Sequence, residues 1–207
     1  MTFDSSPVTP GSAAMAAELI HARRTVLPKR LVAPGPDATA LHTILQAAGA
    51  APDHGQLLPW RFISVPGEQR AALADLFAGA LLERDPGATS DQQATAREKA
   101  FRAPTLLLLI VDATCGDPDI DFAERVLSAG CAVQNVLLMA TAMGFGSSLT
   151  SGKALKSATL RNHLRLSTGE HAVCFVSLGH VASQRTPRRR PSVADYLSVL
   201  GSNNDID

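Results

Sequence analysis

Four groups of residues in this chain have the types and spacing to do chemistry. Arg23-Arg24-Thr25 sets two guanidiniums and a hydroxyl together where a helix gives way to a proline-rich stretch. Such a set matches a phosphate, which takes bidentate charge-assisted bonds from arginine and one more from a hydroxyl. Arginines at a helix C-terminus are also favoured by the helix dipole alone, so the triplet reads either as a phosphate site or as a helix end. Pro52-Asp53-His54-Gly55 puts a carboxylate beside an imidazole. Adjacent side chains of an extended loop point apart, however, so Asp53 is badly placed to orient His54. Gly146-Ser147-Ser148-Leu149-Thr150-Ser151-Gly152 is a run of small hydroxyl residues flanked by glycines, suited to holding a polar ligand. Arg185, Arg188, Arg189 and Arg190 gather late in the chain. That run fits a solvated tail, a nucleic-acid arm or a contact to a single phosphate.

Missing motifs narrow the chemistry. There is no GxSxG elbow, and Cys131 falls inside an apolar helix, so a side-chain nucleophile and hydrolysis are disfavoured. Neither a GxGxxG after a strand nor a GxxxxGK[ST] loop is present. Gly144-Phe145-Gly146 follows a helix, where the dinucleotide fingerprint must precede one. Cys115, Cys131 and Cys174 are odd in number, widely spaced and without a CxxC. This argues against zinc, any other metal or a disulfide framework, and for a reducing compartment.

The elements that must position these groups are legible in the pattern. Asp121 to Gly152 is the organising stretch. Asp121 and Glu124 form a capping-box-like start, and Gly144 is placed for a left-handed stop. Between them Val126, Leu127, Ala129, Ala132, Val133, Val136, Leu137, Met139 and Ala140 leave almost no polar face, the signature of a buried core helix. The small residues Ser128 to Ala132 allow another backbone to come close. Leu106 to Val111, unbroken and apolar between Pro104 and Asp112, reads as a central strand buried on both faces. Trp60 to Val65, the stretch around Ser147 to Thr150, and Ala172 to Leu178 are the other strands. Helices are expected from Ser12 to about Arg23, from an Asp37 cap, from Glu68 to Arg84, from Ser90 to Phe101 with Gln93 in a capping box, and from a Ser157 cap to Leu164. Residues 24–36 hold three prolines and a glycine and read as an extended loop. The order of helices and strands gives one α+β or α/β domain of about four strands over residues 12–200. Residues 1–11 are expected as a flexible leader and 201–207 as a flexible tail.

Composition is that of a globular protein: 45% hydrophobic, 18% charged, with 19 basic and 19 acidic residues and no net charge. A neutral balance gives no support to nucleic-acid or membrane binding. No apolar run approaches the ~18 residues of a membrane span, and the first residues lack a signal-peptide pattern. A cytoplasmic location is the resulting expectation.

Taken in order, a set of segments resembles the nitroreductase family of flavin enzymes, specifically its short, single-domain NAD(P)H nitroreductase branch. The segments are Arg23-Arg24-Thr25, Ala51-Pro52-Asp53-His54 with Pro59-Trp60-Arg61-Phe62, Phe101-Arg102-Ala103-Pro104, Ser128 to Asn135, Gly144-Phe145-Gly146 and Ser151-Gly152. The resemblance implies an α+β fold with a mostly antiparallel sheet of four to five strands and a long core helix. It also implies a homodimer with FMN held in two pockets at the subunit interface. Arg23, Arg24 and Thr25 match the family's Arg-x-Ser segment at the FMN phosphate and ribityl chain. His54 matches a loop residue supplied by the partner subunit, with Gln56 in the same loop. Leu149, Thr150, Ser151 and Gly152 match the segment beside the isoalloxazine ring, and Arg188 and Arg190 the late arginines that reach the phosphate. Thr25 stands where the family often has Ser, and Leu149-Thr150 where it can have Trp-Arg. The implied activity is electron transfer from NADH or NADPH to a nitroaromatic, quinone or related small molecule by a ping-pong route, with no side chain as catalyst. Other reductases on the same fold, and a flavin-binding protein without turnover, are the alternatives.

Overall fold

A computed structural model describes residues 11–183 and 189–200 of the chain. The elements are α1 (Ser12–Ala22), β1 (Leu31–Val32), α2 (Ala38–Gln46), β2 (Trp60–Ser64), α3 (Arg70–Arg84), α4 (Ser90–Glu98), β3 (Thr105–Asp112), α5 (Phe122–Ala142), β4 (Gly146–Thr150), α6 (Ala158–His163) and β5 (Glu170–Val181), with short 3₁₀ turns between several of them. Every strand pair is antiparallel. β5 carries the sheet, with β3 and then β2 on one side, β4 on the other, and the two-residue β1 at its far end. The α+β class and the predominantly antiparallel sheet are therefore as expected. The fifth strand, β1, lies in the stretch read as a plain loop.

Strand alternation builds two cores, one on each face. Leu107, Leu109 and Val111 of β3, with Val176 and Leu178 of β5, pack against α5 and α2. Leu106, Leu108 and Ile110, with Phe175, pack against α3, α4 and α6. This is why the Leu106–Val111 run is apolar at every position. Truncating a fully buried leucine such as Leu107 to alanine costs about 2–5 kcal/mol.

Helix ends follow local chemistry with two differences. The Asp37 carboxylate accepts from Ala40 N–H at 2.8 Å, and the Ser157 hydroxyl from Leu160 N–H at 3.2 Å. The capping box of α4 is Thr89 with Gln92 rather than Ser90 with Gln93, because Gln93 turns to donate to Ala88 O. At α5, Asp121 makes no side-chain cap bond, and Glu124 instead reaches His54. Gly144 closes α5 at φ +81°, a conformation that glycine adopts without penalty.

Helix α5 is long and central, but within one chain its burial is one-sided. Ser128, Ala129, Ala132, Val133 and Val136 face the core, and the alanines admit the Ala47–Ala50 turn closely. The other side exposes Phe122, Val126, Gly130 and, at 69%, Leu127. α5 is the helix among the described residues with the length and composition to cross a membrane, and nearly half of its apolar window is packed inside this fold.

Candidate functional site

Three guanidiniums meet where α1 ends. Arg23 is the C-cap, and its extended backbone (ψ 126°) stops the helix while its N–H still bonds Leu19 O. The chain then joins the sheet edge: Thr25 bridges Ser147 of β4, and Val26 N–H donates to Ser147 O at 2.9 Å. Arg24 folds back and donates from Nη1 to the carbonyls of His21 and Arg23. Arg190, from the segment after β5, donates from Nη2 to the same two carbonyls at 3.2 and 3.1 Å. Both therefore serve the negative end of the helix dipole. The Arg23 guanidinium is engaged by none of the hydrogen bonds or ion pairs among the described residues. Burial, then the charges of Arg190 and Arg24, lowers its pKa. The three ion pairs among the described residues involve none of these arginines. An anion placed here would meet concentrated, unmatched positive charge.

A cavity of about 370 Å³ opens at this point, lined by Arg23, Thr25, Arg190, Ile20, Gln134, Leu137 and the Ser147–Leu149 stretch. Ser147 is 2% exposed, and its Oγ has no hydrogen-bond partner among the described residues. Leaving a buried hydroxyl unpaired costs about 1–3 kcal/mol, which a ligand oxygen in the cavity would recover. Charge, a backbone-anchored threonine and an orphaned hydroxyl thus converge on one small volume.

The pleat of β4 divides the hydroxyl run. Ser147 and Leu149 pair with Leu178 and Val176 on the α5 face, while Thr150 pairs with Phe175 on the opposite face. Thr150, Ser151 and Gly152 accordingly line a different, larger cavity of about 670 Å³ beneath α3 and α4. The four residues read together as one flavin-side segment are split between two cavities, with Leu149 alone beside Arg23.

The His54 loop is held in an unusual shape. Gln56 and Leu58 have φ +52° and +48°, uncommon for residues with side chains, and Gly55 has φ +69°. Asp53 orients the loop rather than the imidazole, accepting from Leu58 N–H at 2.7 Å. His54 Nδ1 lies 2.7 Å from a Glu124 carboxylate oxygen. Beneath the loop, the buried Arg125 guanidinium donates to the carbonyls of Ile120, Cys115 and Asp117 at 3.0, 2.5 and 2.6 Å. That pins the 113–120 segment against Leu57 and Gly55. Glu124 is about 15 Å along α5 from Gln134, so a single chain does not bring His54 and Gln56 to the arginine cavity.

Of the residues singled out in the sequence, Arg23, Thr25, Leu149 and Arg190 line the cavity, and Arg24 borders it. Arg188 lies outside the described residues. Gln134 was not singled out as a ligand contact, and Ser147 entered only as part of the hydroxyl run suited to a polar ligand. No group of His, Cys, Asp and Glu among the described residues is arranged to hold a metal.

Comparison with known proteins agrees with this geometry. The chain is 35% identical over 167 residues to the Escherichia coli K12 protein named "Putative NAD(P)H nitroreductase YdjA", covering 79% of this chain and 87% of that one. It is 28% identical over 186 residues to YfhC of Bacillus subtilis, covering 88% and 93%. The fold superposes on a nitroreductase-like family protein from Bacillus cereus with TM-score 0.75 at 18% identity, over 98% of this chain and all of that one. The sequence model of the Nitroreductase family matches residues 20–180, which take in the arginines that follow α1, both cavity linings apart from Arg190, and the five strands apart from Val181. By fold, by relatives and by the segments that build the cavity, the chain belongs to the nitroreductase family.

Proposed function

We propose that the protein is an FMN-dependent oxidoreductase that passes electrons from NADH or NADPH to a nitroaromatic, quinone or related small molecule, acting as a homodimer. The observation that carries the reading is the Arg23 guanidinium, unpaired among the described residues, in the lining of the same cavity as Ser147 with its orphaned hydroxyl. YdjA is named for NAD(P)H nitroreductase activity. The Sphigopyxis enzyme NfnB, 21% identical with TM-score 0.71, is described as FMN- and NADPH-dependent.

The residues present fit FMN. Arg23 and Arg190 supply charge for a phosphate, while Thr25, Ser147 and Gln134 supply hydroxyl and amide groups for a polyol chain. Bound FMN would supply hydride acceptance from the nicotinamide and onward electron delivery. The chain's own part is binding and orientation. Arg24 and Arg190 hold the α1 terminus through its carbonyls, which fixes the backbone from which Arg23 projects. Leu137 and Leu149 give the cavity an apolar wall. No side chain acts as general acid or base in this scheme.

The dimer rests on apolar surface. Phe122, Val126 and Leu127 of α5, Met15 of α1, and Tyr196, Leu197 and Val199 of the late segment are exposed in the single chain, more than scattered surface residues explain. A partner covering α5 would also deliver its own His54 loop, which in one chain is remote from the arginines. Purified protein is expected to be yellow and to release FMN on heating. Anaerobic NADH or NADPH should bleach the flavin absorbance, and a quinone or nitroaromatic should restore it. Colourless protein that cannot be reconstituted with FMN would reject the reading.

A further inference from the structure

His54 and Glu124 pair at the surface, where a pair does little for the fold. Their side chains are 67% and 47% exposed, and exposed pairs contribute about 0–1 kcal/mol. Glu124 nevertheless reaches past the free N–H groups that start its own helix to an imidazole 2.7 Å away. The loop carrying that imidazole is held by Asp53, with Gly55, Gln56 and Leu58 all at positive φ. Strain of this kind in residues with side chains clusters at functional segments. A carboxylate only accepts, so Nδ1 carries the ring proton. Nε2 makes no hydrogen bond among the described residues and is the ring atom left for a ligand.

The exposed side of α5 points to where that atom is used. Ala123, Leu127, Gly130 and Gln134 are exposed along one stripe, at spacings of four, three and four residues. That spacing is the same read in either direction. Two α5 helices packed antiparallel about a two-fold axis therefore set Leu127 against the partner's Gly130, and Ala123 against the partner's Gln134. Leu127 is 69% exposed, and a Cβ added at Gly130 meets nothing within 4 Å, so a knob faces an open hole. Gln134 lines the arginine cavity. Glu124, next to Ala123, thus comes to the rim of the partner's cavity. We propose that Glu124 is the positioning residue that sets His54 for that cavity, keeping the proton on Nδ1 and leaving Nε2 for the flavin bound there. This rests on the FMN-dimer reading above and adds to it the side chain that orients the imidazole.

The test begins with ¹⁵N NMR of the flavin-loaded protein labelled at histidine, the His54 signals being assigned by their loss in His54→Ala. At about pH 8, where an ordinary imidazole is neutral, the parent should carry its ring proton on Nδ1. In Glu124→Ala the proton should no longer be confined there. Titration with FMN should then show Glu124→Ala weakened roughly fivefold, the worth of one hydrogen bond. The double variant with His54→Ala should bind no more weakly than His54→Ala alone, since the carboxylate acts through the ring. A co-expressed mixed dimer of Glu124→Ala and Arg23→Ala chains should keep one site of parental affinity, because both lesions fall on the same pocket. A parent ring without a proton on Nδ1, a Glu124→Ala protein that binds FMN like the parent, losses that add in the double variant, or a mixed dimer with no parental site would each overturn the proposal while the FMN reading stands. Colourless or monomeric protein would overturn that reading, and the proposal with it.

Discussion

Arg23 illustrates how neighbours set what a side chain is free to do. Arg24 commits Nη1 and Arg190 commits Nη2 to the carbonyls of His21 and Arg23, which leaves Arg23 as the guanidinium with all of its donors available to a ligand. Arg23→Ala is expected to weaken FMN by about 10- to 100-fold, the loss of one charge-assisted bond. Riboflavin, without the phosphate, should bind parent and variant alike; a titration in which both ligands weaken equally would make the arginine structural. A second residue-scale prediction concerns Glu170. Its carboxylate accepts from Arg61 Nε at 2.6 Å and from Ser167 N–H at 2.9 Å. The Arg61 hydrogen bond chiefly lowers its pKa, outweighing the opposing effect of burial. A depressed folded-state pKa stabilises fully above the unfolded value of ~4.3 and loses that contribution as pH falls through the folded value. Glu170→Gln should therefore lower the melting temperature at pH 7 by about 2–8 °C, for ~1–2 kcal/mol. The gap should close as the pH is taken below 4.3, and a gap that stays constant down to acid pH would contradict the assignment. Cys174 differs again: burial raises its thiol to about 11. At pH 8 iodoacetamide should modify Cys115 and Cys131, both half-buried, before Cys174, as peptide mass spectrometry would show.

At the scale of elements, β5 has the most to reconcile, because β3, β4 and β1 all bond to it. Gly179 marks where β3 hands over to β1. A Cβ there would stand 2.7 and 2.8 Å from Pro104 ring carbons and 3.1 Å from Val32 O. The proline ring and a strand carbonyl cannot rotate away as a flexible side chain would. Gly179→Ala is expected to cost about 1–3 kcal/mol, a fall of roughly 2–12 °C in melting temperature, read by circular dichroism. A neutral variant would mean that β1 moves freely. The neighbouring Gly35 is crowded too, its added Cβ meeting the Thr105 hydroxyl, so the proline-rich stretch before α2 is packed as tightly as a strand.

For the whole molecule the decisive feature is apolar surface left uncovered by one chain. α5 offers Phe122, Val126 and Gly130 along one stripe at i, i+4 spacing, with Leu127 beside it, three residues before Gly130. A stable homodimer burying well above ~2,000 Å² would account for it. Light scattering at micromolar concentration should give twice 21.7 kDa, and a folded monomer would refute the assembly. Leu127→Glu, at a site already exposed in the single chain, should leave the monomer folded, shift the equilibrium to it and lower flavin retention together. Loss of the dimer with full flavin retention would separate the cofactor site from the interface. If one pocket serves donor and acceptor in turn, as proposed, steady-state kinetics with NADH or NADPH and a quinone should give parallel double-reciprocal lines.

The sequence by itself determined what depends on near neighbours. Caps at Asp37 and Ser157, the stop at Gly144, the doubly buried β3 and the arginines at the end of α1 all follow from contacts within a few residues or from a repeat of apolar positions. The ordered segments that resemble the nitroreductase family were legible for the same reason, since their spacing survives in the chain itself. Tertiary structure alone decided the rest. Pairing of β4 with β5 sends Ser147 and Leu149 to one face and Thr150 to the other, so a single polar run serves two cavities. Glu124 had an adequate local partner in the free N–H groups of its own helix, yet it pairs with His54, seventy residues away, which the folded chain brings within 2.7 Å. The apolar residues of α5 carry no mark distinguishing those that meet the sheet from those left for another surface. Burial is a property of where other elements come to rest, and a helix that is apolar all round does not encode it.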